Sequence, residues 1–340
     1  MLKTTGIGSL PMHNIDSAIA HSFAYDIPYF PQLPKLRKTE YMIAQALDML
    51  PGLHTDTDGV SFLNVDEWQK EKDDFSKALD QALRDPKDTS FEPRDAVCWS
   101  AFCWEITERK TPLAKLQITG PLTSQWALRI QNKAQEQVNI QSYPELGSQI
   151  LKLVSARSSA MINRLRSKGI ATLFFLDEPG LYLLSHKEPQ ILTALGELKL
   201  LILALRKQGA SVGLHCCSNT NWNTILSLGL DVVSFDTDLS LDGILKEKSS
   251  LMQFLENGGR LSLGVIPTDR DSSLLPVEKR VTTLLDKLES AGIDSTYVLN
   301  RSLLTPACGL ALKSVEQAEA ILADLKEFKE LLLKSISSSE

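Results

Sequence analysis

The chain has 340 residues, 43% of them hydrophobic and 23% charged, with a formal net charge of −6. That apolar content excludes a disordered chain, and the negative balance leaves no domain-wide basic face for nucleic acid. The length suits two ordinary domains or one large α/β barrel.

The N-terminal stretch MLKTTGIGSLPMHN has no signal-peptide core, and no apolar run approaches the ~18 residues of a membrane span. The expectation is a soluble, cytoplasmic protein without nucleic-acid or membrane partners. Five cysteines, Cys98, Cys103, Cys216, Cys217 and Cys308, make an odd count that fits metal binding or plain burial better than disulfides.

In chain order, residues 3–11 read as a short strand running into a Gly-Ser turn, and 12–26 as a short helix. Residues 27–34 are extended, because three prolines bias their neighbours away from the helical region. A helix over 38–50 is stopped by Pro51-Gly52, residues 60–65 alternate like a hairpin strand, and 66–110 are charged and helical.

From residue 115 the rhythm becomes regular. Strands are predicted at Lys115–Thr119, Thr172–Leu176, Ser211–His215, Asp231–Phe235, Arg260–Val265 and Tyr297–Leu299, separated by helices at 145–168, 191–208, 240–256, 273–291 and 314–336. With strands near residues 5 and 29 the count reaches eight. Strands alternating with helices imply a parallel sheet, and eight such units imply a single (β/α)8 TIM barrel with an N-terminal excursion. It is expected to span residues 1–336, with 337–340 a disordered tail. A doubly wound open sheet is the alternative, but the chain lacks its G-x-G-x-x-G turn.

A barrel places its chemistry where strands end. Here strand ends carry Gly8-Ser9, Asp177-Glu178, His215 with Cys217, and Asp236, and the last strand is followed by Thr305-Pro306-Ala307-Cys308-Gly309. Because side chains alternate along a strand, His215 and Cys217 point one way and Cys216 the other. His215, Cys217 and Cys308, with Asp236, are therefore candidate zinc ligands, brought together by the fold rather than by finger-like spacing. Two thiolates make zinc a poor activator of water and a good binder of an exchangeable thiol, so thiol alkylation suits this set better than hydrolysis. Cys98 and Cys103 lack C-x-x-C spacing and read as filling; His13, His21, His54 and His186 show no partner.

The chain resembles the cobalamin-independent methionine synthase family and, more loosely, the uroporphyrinogen decarboxylase-like barrels grouped with it. The resemblance is carried in order by GIGSLP at 6–11, FPQLP at 30–34, LPGL at 50–53, TGPLT at 119–123, LDEPGLYL at 176–183, LHCCSN at 214–219, DVVSFD at 231–236, LGVIPT at 263–268 and TPACGL at 305–310. It implies His215, Cys217 and Cys308 as zinc ligands with Asp236 at the acidic fourth position. It also implies Ile7, Gly8 and Ser9 on an amino acid's carboxylate, and Asp48 and Asp177 on its ammonium. Glu178 and Tyr182 are further candidates for substrate binding, and Trp126 for stacking on a flat methyl donor. The implied activity is methyl transfer to a thiol, homocysteine first, to give methionine.

The departures from the family pattern are specific. Asp236 and Asp48 stand where the family has glutamate, and the family's catalytic histidine has no match in Val265-Ile266-Pro267-Thr268-Asp269-Arg270. Asp269 is the stand-in for proton handling, beside Asp177 as the other candidate catalytic acid. The length leaves no room for a second barrel, so the short, single-barrel relatives are the closer match. The implied donor is methyltetrahydrofolate or a methylcorrinoid, the latter presented by a corrinoid protein. The alternatives are methyl transfer from a corrinoid protein to a different thiol, and a non-catalytic zinc- or corrinoid-binding relative.

Overall fold

The computed structural model describes residues 2–185, 189–269 and 275–337. His186, Arg270 and residues 338–340 of the expected tail lie outside the described residues. Ten strands form two sheets: β1 (Lys3–Thr4), β2 (Leu53–Thr55), β3 (Ser61–Asn64), β4 (Leu113–Thr119), β5 (Arg129–Gln131), β6 (Ala171–Asp177), β7 (Ser211–Cys216), β8 (Val232–Asp236), β9 (Arg260–Ile266) and β10 (Ser302–Pro306).

The main sheet has seven strands in the order β1-β10-β9-β8-β7-β6-β4, and every pairing in it is parallel. Its central strands are near-continuous apolar runs such as Thr172–Leu176 and Val232–Phe235, as expected for strands covered on both faces. Helices surround the sheet, the longest described being Pro144–Arg166, Val315–Ser337 and Val65–Arg84. The fold is thus mixed α/β, a curled parallel sheet surrounded by helices, similar in plan to a TIM barrel.

Between the two edge strands runs the proline-rich segment 27–32. Ile27 N donates to Thr4 O at 3.0 Å and Gln32 N to Gly8 O at 3.1 Å on one side. On the other, Phe30 N donates to Lys115 O at 2.9 Å and Lys115 N to Pro28 O at 2.8 Å. Pro28 and Pro31 supply no N–H, which keeps the ladder to isolated bridges at Ser9–Gln32 and Tyr29–Lys115. The excursion is real: β2 and β3 form an antiparallel hairpin, to which β5 adds in parallel.

Two expectations need correction. Tyr297–Leu299 is not a strand but part of a short helix, Ser295–Leu299, whose start is fixed by Asp294 accepting from Tyr297 N at 3.2 Å. The Arg301 guanidinium packs 3.8 Å from the centre of the Tyr297 ring, and the strand begins only at Ser302. The helix expected over 240–256 is two helices, Thr237–Lys246 and Lys248–Glu256, broken where Glu247 leaves helical geometry (φ −90°, ψ 39°). The terminal helix spans Val315–Ser337.

Two apolar clusters divide the interior. The larger fills the space between sheet and helices. The smaller, Ile27, Leu173, Phe175, Val232 and Leu303, comes from alternate strand positions and forms an apolar floor within the curl of the sheet. Beyond it on the same strands lie polar residues: Gln117, Asp177, His215, Ser234 and Thr305, each at most 8% exposed. A Cβ on Gly213 would sit 2.6 Å from the Phe175 ring, so glycine is needed for that ring to reach the floor. Gly213→Ala is expected to destabilise by about 1–3 kcal/mol through overpacking, read as a lower urea midpoint. An unchanged midpoint would show that the ring has room to move.

Candidate metal centre

One row of register partners crosses the sheet at its C-terminal end: Thr119 with Asp177, Asp177 with His215, His215 with Ser234, and Ser234 with Ser262. Partnered residues in parallel strands face the same way, so this row places Asp177, His215 and Ser234 side by side. Cys217 follows one residue after β7 ends, and Cys308 two residues after β10 ends. Their sulfurs and a ring nitrogen of His215 all lie within 4.8 Å of one another.

The turn carrying Cys308 is pinned on both sides. Ala307 N donates to Ile266 O at 2.8 Å, and Gly264 allows the approach, since a Cβ there would meet Ala307 Cα at 2.8 Å. Leu310 N donates to Ser9 O at 2.8 Å, and Ser9 Oγ occupies the space a Gly309 side chain would need. Ile7–Ser9 and the Cys308 turn are therefore in contact. Cys216 faces the opposite side, as alternation predicts, its buried thiol 3.3 Å from Ser218 O. Cys98 and Cys103 are also buried, and burial pushes both thiols up to about 12.

His215 Nδ1 lies 3.0 Å from Ser234 Oγ, while Nε2 is buried without a hydrogen-bonded partner among the described residues. A hydroxyl on Nδ1 fixes the ring and leaves the Nε2 lone pair available, the usual support for a metal-binding imidazole. The two thiols are coupled. The Cys217 thiol and then the nearby His215 ring hold Cys308 well below the ordinary thiol range, whereas the Cys308 sulfur holds Cys217 above it. Two sulfurs and one imidazole nitrogen at this separation fit a zinc ion.

Asp236 is not in this cluster. Its Oδ1 accepts from Asp238 N at 2.8 Å and Leu239 N at 3.3 Å, capping the helix Thr237–Lys246. An aspartate at a strand end is the right length to cap the helix that begins at the next residue. Burial raises its pKa, against the two amides. Asp269 is exposed on the same rim, near enough to Asp236 to raise it further, and lies outside the cluster.

Asp177 is 8% exposed, and its Oδ1 is buried with no partner among the described residues. Burial raises its pKa, opposed by Lys115 and His215. Glu178 departs from the expected substrate role. Its Oε1 accepts from Leu122 N at 3.0 Å, and its Oε2 from Thr123 N at 2.7 Å and Thr123 Oγ1 at 2.6 Å. It is fully buried, capping the helix Pro121–Ala127, and burial pushes its carboxyl up to about 7. Gly120 makes room for it, because a Cβ there would meet Glu178 Oε1 at 2.1 Å.

Asp48 is also partly engaged. The buried Arg157 guanidinium donates to Asp48 O at 2.6 Å and lies 3.5 Å from Asp48 Oδ2. Trp126 is half-buried, and its ring packs on Gly180, which a Cβ would bring to 3.0 Å. Tyr182 is 56% exposed in the turn Pro179–Ser185. Sequence reasoning missed Lys115, Ser234 and Arg157. For Lys115 the signal was present: a lysine inside an otherwise apolar strand.

No protein-family model matches the chain, and no curated protein matches it. Among solved structures it is similar to a methyltransferase from Methanosarcina mazei, at 18% identity and a TM-score of 0.45, over 68% of this chain and 64% of that one. The chain therefore spans less than two thirds of that methyltransferase. It is also similar to a D-psicose 3-epimerase from Clostridium cellulolyticum H10, at 10% identity and a TM-score of 0.32, over 69% of this chain and 93% of that one. At these scores the likenesses identify no activity. Among the described residues, no helix is long and apolar enough to cross a membrane.

Proposed function

We propose that the protein is a zinc-dependent S-methyltransferase of the methionine synthase-like kind, transferring a methyl group to homocysteine to give methionine. The observation that supports it most is the convergence of His215, Cys217 and Cys308 within 4.8 Å at the C-terminal end of a parallel sheet. In this reading the segment 27–32 is the eighth stave of a closed barrel, and the protein works in the cytoplasm. Three protein donors leave a fourth position open, the mark of a zinc site that takes a substrate. A zinc ion there would supply the positive charge that keeps an incoming thiol as thiolate near neutral pH.

The protein residues do the rest. The Ile7–Ser9 turn, in contact with the Cys308 turn, offers polar backbone to a carboxylate, and the unpartnered Asp177 oxygen accepts from an ammonium. Holding acceptor and donor in line contributes most of the rate, since little covalent chemistry is asked of the protein. Asp269 on the rim handles the proton, and Trp126 and Tyr182 flank the approach of the donor, methyltetrahydrofolate or a methylcorrinoid. The engagement of Asp48 by Arg157 favours a second reading, methyl transfer from a corrinoid protein to a thiol without an ammonium group.

Proton release on ligand addition tests both. A free thiol with a pKa of about 8.5 is mostly protonated at neutral pH, so binding as thiolate releases close to one proton per molecule bound. We expect this for homocysteine added to the zinc-loaded protein in weak buffer. Tighter binding of 4-mercaptobutanoate would select the second reading, and binding of neither thiol would remove both.

A further inference from the structure

The proposed chemistry leaves the buried ammonium of Lys115 unused. Lys115 is 1% exposed, level with Leu173 on β6 and bridged to Tyr29 on the segment beside it. A buried ammonium persists only where fixed acceptors replace water. Its Nζ donates to Ile7 O at 2.5 Å and to Gln117 Oε1 at 3.2 Å, and sits 4.8 Å from the centre of the Phe175 ring. Gln117 in turn donates from Nε2 to Phe30 O at 2.6 Å. Lys115 thus ties together the turn after β1 and the proline-rich segment.

The turn Ile7-Gly8-Ser9 is strung between three anchors. Gly8 O accepts from Gln32 N, Ser9 O from Leu310 N, and Ile7 O from the Lys115 ammonium. Only the last of these donors is charged. Among the described residues no peptide bond is cis, so turning Ile7 O toward Lys115 turns the N–H of Gly8 to the opposite side. A cation on the carbonyl polarises that peptide and makes its N–H a stronger donor to an anion. The next residue, Ser9, packs on Gly309 beside Cys308.

We propose that Lys115 is a positioning residue for the anionic end of the thiol substrate. By fixing and polarising the Ile7–Gly8 peptide, it sets the carboxylate-recognising turn against the Cys308 turn without touching the ligand. The inference rests on the proposed reading that a carboxylate-bearing thiol binds here.

The test compares homocysteine with 3-mercaptopropylamine, which keeps the thiol and amine and lacks the carboxylate. Binding is measured by calorimetry on zinc-loaded wild type, Lys115→Met and Lys115→Gln, with metal content determined for each; the glutamine variant serves if the methionine variant does not fold. Wild type is expected to prefer homocysteine by at least about tenfold, one charge-assisted hydrogen bond's worth of discrimination. In a folded Lys115 variant that preference is expected to fall to within about twofold, with zinc content and 3-mercaptopropylamine affinity unchanged. A merely structural lysine would weaken both ligands alike, and that result, or a preference retained in the variant, would overturn the inference. Absence of any preference in wild type would instead remove the carboxylate reading, and the inference with it.

Discussion

Replacing Cys308 with serine is expected to remove stoichiometric zinc from a protein that otherwise binds about one ion per chain. A neutral hydroxyl replaces the Cys308 sulfur beside Cys217 and His215, leaving two good zinc donors where the geometry supplies three. Loss of a group that merely orients a ligand costs roughly 10–100-fold in metal affinity, so loss of the ligand itself should exceed that. Because the three ligands meet only in the folded chain, chelation should cost wild type RT ln(1 + [Zn]/Kd) of stability and lower its melting temperature, and the variant should not respond. Cys216→Ser is the control: its thiol is buried on the other face near Ser218, so zinc content should stay at wild-type level. Metal analysis of the three purified proteins decides the matter. One zinc per chain retained in Cys308→Ser would sink the proposed centre.

Glu178→Gln is expected to flatten the pH dependence of stability. The folded state holds the Glu178 carboxyl at about 7 against an ordinary 4.5, chiefly because burial disfavours its charge. Below pH 4.5 both folded and unfolded chains are protonated there, and the group adds no slope. As pH rises from 4.5 to 7 the unfolded chain loses the proton while the folded chain keeps it, so stability falls. The loss is complete above pH 7 and reaches at most about 3 kcal/mol, since one pKa unit corresponds to 1.36 kcal/mol. A glutamine does not titrate, but its single carbonyl oxygen can accept from Leu122 N or from Thr123 and not from both, so the variant is expected to be less stable by an amount that does not vary with pH. Urea denaturation of wild type and variant at pH 5 and pH 8 should therefore show wild type losing stability relative to the variant as pH rises. Parallel profiles would show that the three hydrogen bonds from Leu122 and Thr123 already offset the burial.

Those two residues mark what could be read from the sequence and what could not. The strands β4, β6, β7, β8 and β9 were legible, because a strand covered on both faces must be apolar along its length. Their C-terminal residues were legible as chemical for the same reason: His215 and Asp177 break an apolar run that packing alone would continue. Alternation assigned Cys217 to the side of His215 and Cys216 to the other. The last strand was misplaced because Tyr297-Val298-Leu299 has strand-like residues, while Asp294 capping and the Arg301–Tyr297 contact make it a helix.

The roles of the acids could not be read this way. Asp236 and Glu178 both sit at strand ends, and the sequence makes them equal candidates for ligation or substrate. Only the tertiary structure shows that each faces the open N–H groups of a helix, one beginning at the next residue and one on a distant segment. Lys115 is the converse case: a charge in an apolar strand looks like an error of pattern until the fold brings Ile7 O and Gln117 to it. The sequence by itself determined the parallel α/β plan and marked His215, Cys217 and Cys308 as polar residues at or after strand ends, because periodicity and residue chemistry are local properties; their convergence is a property of the fold. Which charged groups are free to act was decided by the tertiary structure alone, because a buried group's partner comes from wherever the chain returns.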